Sequence, residues 1–252
     1  MTRRVLFGLG VAAGALVALI GAEVYLLSRR DYLPTDPGYR VDTRTEPLAP
    51  GDGEPLRIAV LGDSTVAGVG SPTEAESLPV LIAQRLADRR GVPVDVVGFG
   101  VSGARSADLV SQLGRVGPGF DAVVLVIGSN DATHATPWTD VRRQTELALR
   151  QAAGRDVAVV LAGTPRFSGT EIIPEPLRTA VDRYAGVLRG EQRAAVAMVP
   201  GTRFVDIAAD ASPRFVGRPD ATSADGFHPS PTGYGFWADA IAPILSEALA
   251  GH

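Results

Sequence analysis

The chain of 252 residues contains no cysteine. Disulfides, thiolate nucleophiles and cysteine-held zinc or iron–sulfur centres are thereby excluded. The redox compartment stays open, because a domain of this size can hold together without disulfides. Lysine is missing as well; all 24 Lys/Arg positions are arginine. A phosphate-binding loop that relies on lysine and a Schiff-base lysine are both ruled out. Histidine occurs only three times, at scattered positions, so a metal site is not expected. Positive charge is not in excess either: the net charge of −4 argues against broad nucleic-acid binding. What remains is ordinary for a globular protein, 45% hydrophobic and 21% charged, and long enough for one good-sized domain with an appendage.

The first thirty residues form a separate object. Arg3-Arg4 precede an apolar stretch from Val5 to Ala22, Glu23 interrupts it, and Arg29-Arg30 close it. Its uninterrupted part is about long enough to cross a bilayer as a helix. A cleaved signal peptide should end in a small-x-small site, and Ile20-Gly21-Ala22 matches that poorly. An uncleaved single-pass anchor is therefore favoured over a signal segment, with the rest of the chain outside the cytoplasm (or secreted, if cleavage occurs). The flanking arginines are balanced two against two and do not set an orientation. Residues 1–30 carry four Arg and one Glu, so the −4 of the whole chain leaves −7 on the remainder. That remainder should not cling to anionic lipid by charge.

Residues 31–56 hold Pro34, Pro37, Pro47, Pro50 and Pro55 and lack apolar periodicity, which predicts an extended, unpacked tether. From Arg57 the pattern changes. Ile58–Leu61, Val94–Val97, Ala122–Ile127, Val157–Leu161 and Phe204–Ile207 are short apolar or β-branched runs that read as buried parallel strands. Helical stretches alternate with them, near 77–89, 106–113, 139–153 and 176–197. A last helix begins at Ser230-Pro231, a cap residue followed by proline in the first turn. The expected fold is a three-layer α/β/α sandwich with a mostly parallel, flavodoxin-like sheet, preceded by one N-terminal transmembrane or signal helix. Residues 57–252 would form one domain, as a monomer.

Four short motifs stand at strand ends or in a late loop: Gly62-Asp63-Ser64-Thr65, Ser102-Gly103, Gly128-Ser129-Asn130-Asp131 and Asp225-Gly226-Phe227-His228-Pro229. A serine hydroxyl is a weak nucleophile until a base takes its proton, histidine is such a base near neutral pH, and a carboxylate can hold its tautomer. In doubly wound sheets ligands bind beyond the carboxyl ends of the strands, so the fold would gather Ser64, Gly103 and Asn130 along one edge. Asp63, adjacent to the serine, reads as a turn residue that bonds backbone N–H groups, and Asp131 as one that fixes its own loop. His134 reads as a solvated loop residue more than a lining one, and Ser102 as a loop hydrogen-bonder. Trp138 and Trp237 lie on predicted helices and read as packing residues.

These four motifs, in this order, resemble the SGNH hydrolases, also called the GDSL lipase/esterase family, over about residues 57–249. The resemblance implies that Ser64 is the nucleophile, His228 the general base and then acid, and Asp225 the residue that orients His228. It implies an oxyanion hole made of the Ser64 N–H, the Gly103 N–H and the Asn130 side-chain amide. Asn130 donates without carrying charge, and Gly103 lets substrate approach its backbone closely, as that role requires. Two positions depart from the family pattern: Thr65 stands where its name has leucine, and Gly98 where many members have asparagine. No cofactor is implied. The expected activity is hydrolysis of a carboxylic ester through an acyl-enzyme; the alternatives are acyl transfer to, or acetyl-ester cleavage on, a cell-envelope glycan, and an idle envelope-binding module. A lipid, glycan or small-molecule ester is the expected partner, together with the membrane through the N-terminal helix. The loops 163–176 and 208–224, with Arg166, Phe167, Arg214, Phe215 and Arg218, are expected to shape the pocket, the arginines being otherwise solvated.

Overall fold

Five parallel strands run through the centre of the protein, and every residue of two of them, Ala122–Val126 and Ala158–Ala162, is buried. The computed structural model describes residues 3–252, with side chains from residue 14 onward. The strands are β1 (Asp42–Thr45), β2 (Leu56–Gly62), β3 (Val94–Gly98), β4 (Ala122–Val126), β5 (Ala158–Ala162) and β6 (Thr202–Val205). The helices are α1 (Arg3–Ser28), α2 (Ser64–Ala67), α3 (Leu78–Arg90), α4 (Leu109–Leu113), α5 (Ser129–Thr133), α6 (Trp138–Ala153), α7 (Leu177–Ala197), α8 (Ile207–Asp210) and α9 (Pro231–Ala250).

The sheet order is β1-β3-β2-β4-β5-β6, with β2 to β6 parallel. Counting only the parallel strands, the order is 2-1-3-4-5, the flavodoxin-like arrangement. Alternate residues face opposite layers, as the period of a strand demands. Ile58, Val60, Val96, Val124 and Val160 pack under α3 and α9. Ala59, Leu61, Val123, Leu125 and Leu161 pack under α4, α6 and α7. Burial on both faces is why these runs are continuously apolar rather than alternating. The chain order reverses between β2 and β4, which are neighbours in register from Ile58↔Ala122 to Gly62↔Val126. The loops that follow β2 and β4 therefore open at one crevice, and they carry Ser64 and Asn130.

Three expectations are corrected. Residues 31–56 are not an unpacked tether: Asp42–Thr45 pairs antiparallel with β3, from Asp42↔Val97 to Thr45↔Val94, while Val41 and Thr45 are buried. An edge strand needs only one inward face, so its polar sequence shows no apolar run. The last strand ends earlier than its apolar content suggests, because Asp206 caps α8 by accepting from the Ala209 N–H at 3.1 Å. Trp138 is not a core residue; it starts α6 with 47% of its surface exposed.

The expected membrane span from Val5 to Ala22 lies partly outside the residues whose side chains are described. Among the described residues, no helix is long and apolar enough to cross a membrane. The end of α1 is also not a separate object. Glu23 is buried and accepts from the Leu177 N–H at 3.1 Å, and Ile20 and Leu27 pack beside Phe167 and Leu177.

Candidate active site

Gly62 ends β2, and the chain must turn at once to start α2 at Ser64. Asp63 makes that turn possible: its Oδ1 accepts from the Thr65 N–H at 3.0 Å and from the Thr65 hydroxyl at 2.8 Å. This is N-cap chemistry, as its adjacency to the serine suggests. Burial raises the pKa of Asp63 most, against the two Thr65 bonds, which lower it. It makes no bond to His228. The family position occupied by Thr65 thus supplies a hydroxyl that helps hold the turn.

His228 comes from the loop before α9. Ser230 starts that helix by accepting from the Gly233 N–H, with Pro231 in the first turn. The Asp225–His228 turn folds on its own carboxylate: Asp225 Oδ1 accepts from Ser223 Oγ at 2.9 Å, the Phe227 N–H at 2.9 Å and the His228 N–H at 3.0 Å. Asp225 Oδ2 lies 2.6 Å from His228 Nδ1. Burial works against ionisation of Asp225, but the bonds from the His228 ring and from the His228 and Phe227 N–H groups hold its pKa down at about 2. An ionised carboxylate only accepts, so His228 Nδ1 carries the proton. Neutral His228 then presents the lone pair of Nε2, which lies 3.0 Å from Ser64 Oγ. Serine, imidazole and carboxylate are joined in one line, across 164 residues of sequence between Ser64 and His228.

The residues expected to donate to an oxyanion are arranged less uniformly. Asn130 is on α5 and lines the cavity above Ser64; its Nδ2 spends one N–H on Ala104 O at 3.0 Å and keeps a second. Gly103, at φ +81°, stands in the left-handed region that glycine tolerates. It lines a separate depression with Ser102, Ala104 and Gln112. The Ser64 and Gly103 N–H groups have no hydrogen-bond partner among the described residues. Asp131 is buried and does fix a loop, but not its own: its Oδ2 accepts from the Ser106 N–H at 2.9 Å and the Ser106 hydroxyl at 2.8 Å. Ser102 donates to Thr35 O at 2.6 Å. His134 is exposed, bonded to Asn130 O and Thr133, and outside the cavity.

Ser64, Asn130 and His228 open into a cavity of about 270 Å³. Both expected loops line it, with Arg166 and Phe167 from the first, and Phe215 and Val216 from the second. Arg214 and Arg218 do not: they pair with Asp239 and Asp220 and lie over the Phe236 ring. Two lining residues went unread as such in the sequence. Trp237 is buried, as its helical position suggests, yet it also lines the cavity. Phe227 stands edge-on to the His228 ring, with centroids 5.2 Å apart. Its position inside the Asp-x-x-His motif was the available signal. Among the described residues, no group of three or more His, Cys, Asp or Glu side chains is placed to hold a metal.

A serine–histidine–aspartate line thus stands at the switch point of a flavodoxin-like sheet, beside a cavity walled by loops. The chain belongs to the GDSL-like lipase/acylhydrolase family, which matches residues 60–236. It is 31% identical over 198 residues to a GDSL-like esterase of Mycobacterium tuberculosis, covering 77% of this chain and 63% of that protein. It is 30% identical over 207 residues to a GDSL lipase of the same organism, covering 77% and 83%. Among solved structures, an extracellular lipase from Streptomyces rimosus has the same fold, with a TM-score of 0.58 at 24% identity over 77% of this chain and 99% of that one. A phospholipase A1 from Streptomyces albidoflavus aligns with a TM-score of 0.57 at 22% identity, over 77% and 99%.

Proposed function

We propose that the protein cleaves a carboxylic ester through an acyl-enzyme, with Ser64 as nucleophile, His228 as general base and then acid, and Asp225 orienting the imidazole. The observation that carries this reading is the 3.0 Å approach of His228 Nε2 to Ser64 Oγ while Nδ1 is held by Asp225. As Ser64 attacks, its proton passes to Nε2, and the imidazolium that forms is stabilised by the adjacent carboxylate. The negative charge on the former carbonyl oxygen falls to the Ser64 and Gly103 N–H groups and the second Asn130 amide N–H. Protonated His228 then hands its proton to the leaving alcohol, and the same nitrogen later draws a proton from the attacking water.

Most of the exposed surface of the cavity is apolar although many of its lining residues are polar, and Phe167, Phe215, Val216, Phe227 and Trp237 stand in its wall, which favours an apolar acyl chain, with Arg166 on the same wall near any polar part of the ester. The curated relatives named as esterase and lipase agree with an ester of this kind. For location, we propose that the apolar run from Val5 to Ala22 anchors the protein to a membrane, with the catalytic domain outside the cytoplasm. The exposed Leu16, Val17, Leu19 and Leu26 on α1 support an apolar environment there. Protease treatment of intact cells tests it, since a protected catalytic domain defeats the extracytoplasmic placement.

The chemistry is tested by p-nitrophenyl acetate and butyrate hydrolysis, with a phosphonate ester as covalent probe. The expected result is a phosphonate adduct on the peptide carrying Ser64, and loss of activity by about a thousandfold or more in Ser64→Ala and His228→Ala. An adduct elsewhere, or activity that survives in Ser64→Ala, defeats the assignment.

A further inference from the structure

We propose that the segment Tyr32–Thr35, which precedes the family match beginning at residue 60, is a positioning element of the active site. It braces the Asp225 turn and the loop carrying Gly103 at the same time, and the inference rests on the roles given above to Asp225, His228 and Gly103. The Leu33 N–H donates to Asp225 Oδ2 at 3.4 Å, on the same oxygen that meets the imidazole. Tyr32 sets its ring edge-on to Phe227, centroids 6.0 Å apart, and Phe227 stands edge-on to His228. Two residues after Leu33, the carbonyl of Thr35 accepts from Ser102 Oγ at 2.6 Å, directly before Gly103.

The segment is tied at both ends. The Tyr32 hydroxyl donates to Leu27 O at 3.2 Å, and the Tyr39 hydroxyl lies 3.0 Å from Gly68 O and 3.2 Å from Ser71 O. Pro34 and Pro37 restrict the backbone between those ties, so its two contacts with the site sit at a fixed spacing. A Cβ added at Gly103 would meet nothing within 4 Å, so no packing on that side holds the residue. Its place is set by the bonds of its neighbours: the Ala104 N–H to Val101 O at 3.0 Å, Asn130 Nδ2 to Ala104 O at 3.0 Å, and Ser102 Oγ to Thr35 O at 2.6 Å. Small displacements of acid or oxyanion donor are felt in the transition state more than in ground-state binding.

The experiment uses the full chain and p-nitrophenyl butyrate. Leu33→Pro removes the N–H that meets Asp225 together with the leucine side chain, Ser102→Ala deletes the hydroxyl, and Ser102→Thr keeps it. Leu33→Pro and Ser102→Ala are each expected to lower kcat about threefold to tenfold, the range that one hydrogen bond supplies, with KM within about twofold of wild type and Tm unchanged. Ser102→Thr is expected to recover most of the lost kcat. Wild-type kcat in both Leu33→Pro and Ser102→Ala, beside an inactive Ser64→Ala, overturns the brace and leaves the serine mechanism standing. Activity that survives in Ser64→Ala overturns the mechanism itself. A loss of kcat that follows a loss of Tm, or that Ser102→Thr does not recover, marks a purely structural contact and also overturns the brace. If Leu33→Pro fails to fold, the two Ser102 variants decide.

Discussion

Gln112 and Gly62 exchange two hydrogen bonds: the Gly62 N–H donates to Gln112 Oε1 at 2.9 Å, and Gln112 Nε2 donates to Gly62 O at 2.8 Å. A helical side chain thus replaces a strand partner at the last residue of β2, two positions before Ser64. The pair is buried, so the end of the strand has no water to fall back on.

Gln112→Ala would leave the Gly62 N–H without its partner and take one of two donors from Gly62 O, which keeps the Val101 N–H at 3.1 Å. Each orphaned buried group costs about 1–3 kcal/mol. The expected outcome is a loss of unfolding free energy of at least that size, read by urea denaturation, together with a fall in kcat. Unchanged stability would mean that other groups satisfy Gly62.

Gly70 stands at φ +94°, and a Cβ there would lie 2.3 Å from Pro229 O and 3.4 Å from His228 Cβ. Gly70→Ala therefore combines backbone strain with pressure on the loop that carries the base. Strain of this kind costs about 1–3 kcal/mol. Activity should fall further than in a surface glycine variant such as Gly190→Ala, where nothing lies within 4 Å of the added carbon. Equal activities in the two would show that the His228 loop yields freely.

Asp225 has a pKa of about 2 in the folded protein against an ordinary value of 3.8. A depressed carboxylate adds stability that is complete above the unfolded pKa and is lost as pH falls through the folded one. The difference in unfolding free energy between wild type and Asp225→Asn should thus be full at pH 5–7 and shrink between about pH 4 and 2. Activity of Asp225→Asn should fall by about a thousandfold or more at neutral pH, because the amide no longer holds the required tautomer. A stability difference that does not change between pH 5 and 2 would contradict the bonding seen at Oδ1 and Oδ2.

Val216 lines the cavity while 76% of its surface is exposed, so a larger side chain there meets substrate before it meets the core. Val216→Trp is expected to raise KM for p-nitrophenyl octanoate about fivefold or more while leaving acetate within about twofold and Tm unchanged. A methylene excluded from an apolar pocket is worth about 1 kcal/mol, which sets that scale. Equal effects on acetate and octanoate would place the acyl chain elsewhere.

Much of this molecule follows from local pattern. Apolar runs such as Ile58–Leu61 and Ala122–Ile127 specify strands because burial on both faces tolerates nothing else. Ser230-Pro231 starts α9 because cap and first-turn chemistry need only neighbouring residues. The Asp225–His228 turn is legible for the same reason, since the three donors to Asp225 Oδ1 all lie within three residues of it. Strand β1 was not legible: Asp42–Thr45 has no apolar alternation and becomes a strand only because β3 offers an open edge. Trp138 was misread because a helical position does not say which face meets a partner.

The sequence by itself determined the order of the five parallel strands and of the longer helices between them, the absence of cysteine and lysine chemistry, and which serine, histidine and aspartate were available. Those depend on residue type and on spacing along a few turns of chain. Only the tertiary structure decided that Gln112 closes the strand before Ser64, that Trp237 and Phe227 line the cavity, and that Leu33 reaches Asp225. These contacts join residues as much as 192 positions apart, and their geometry is set by how the layers stack on the sheet, which no local pattern encodes.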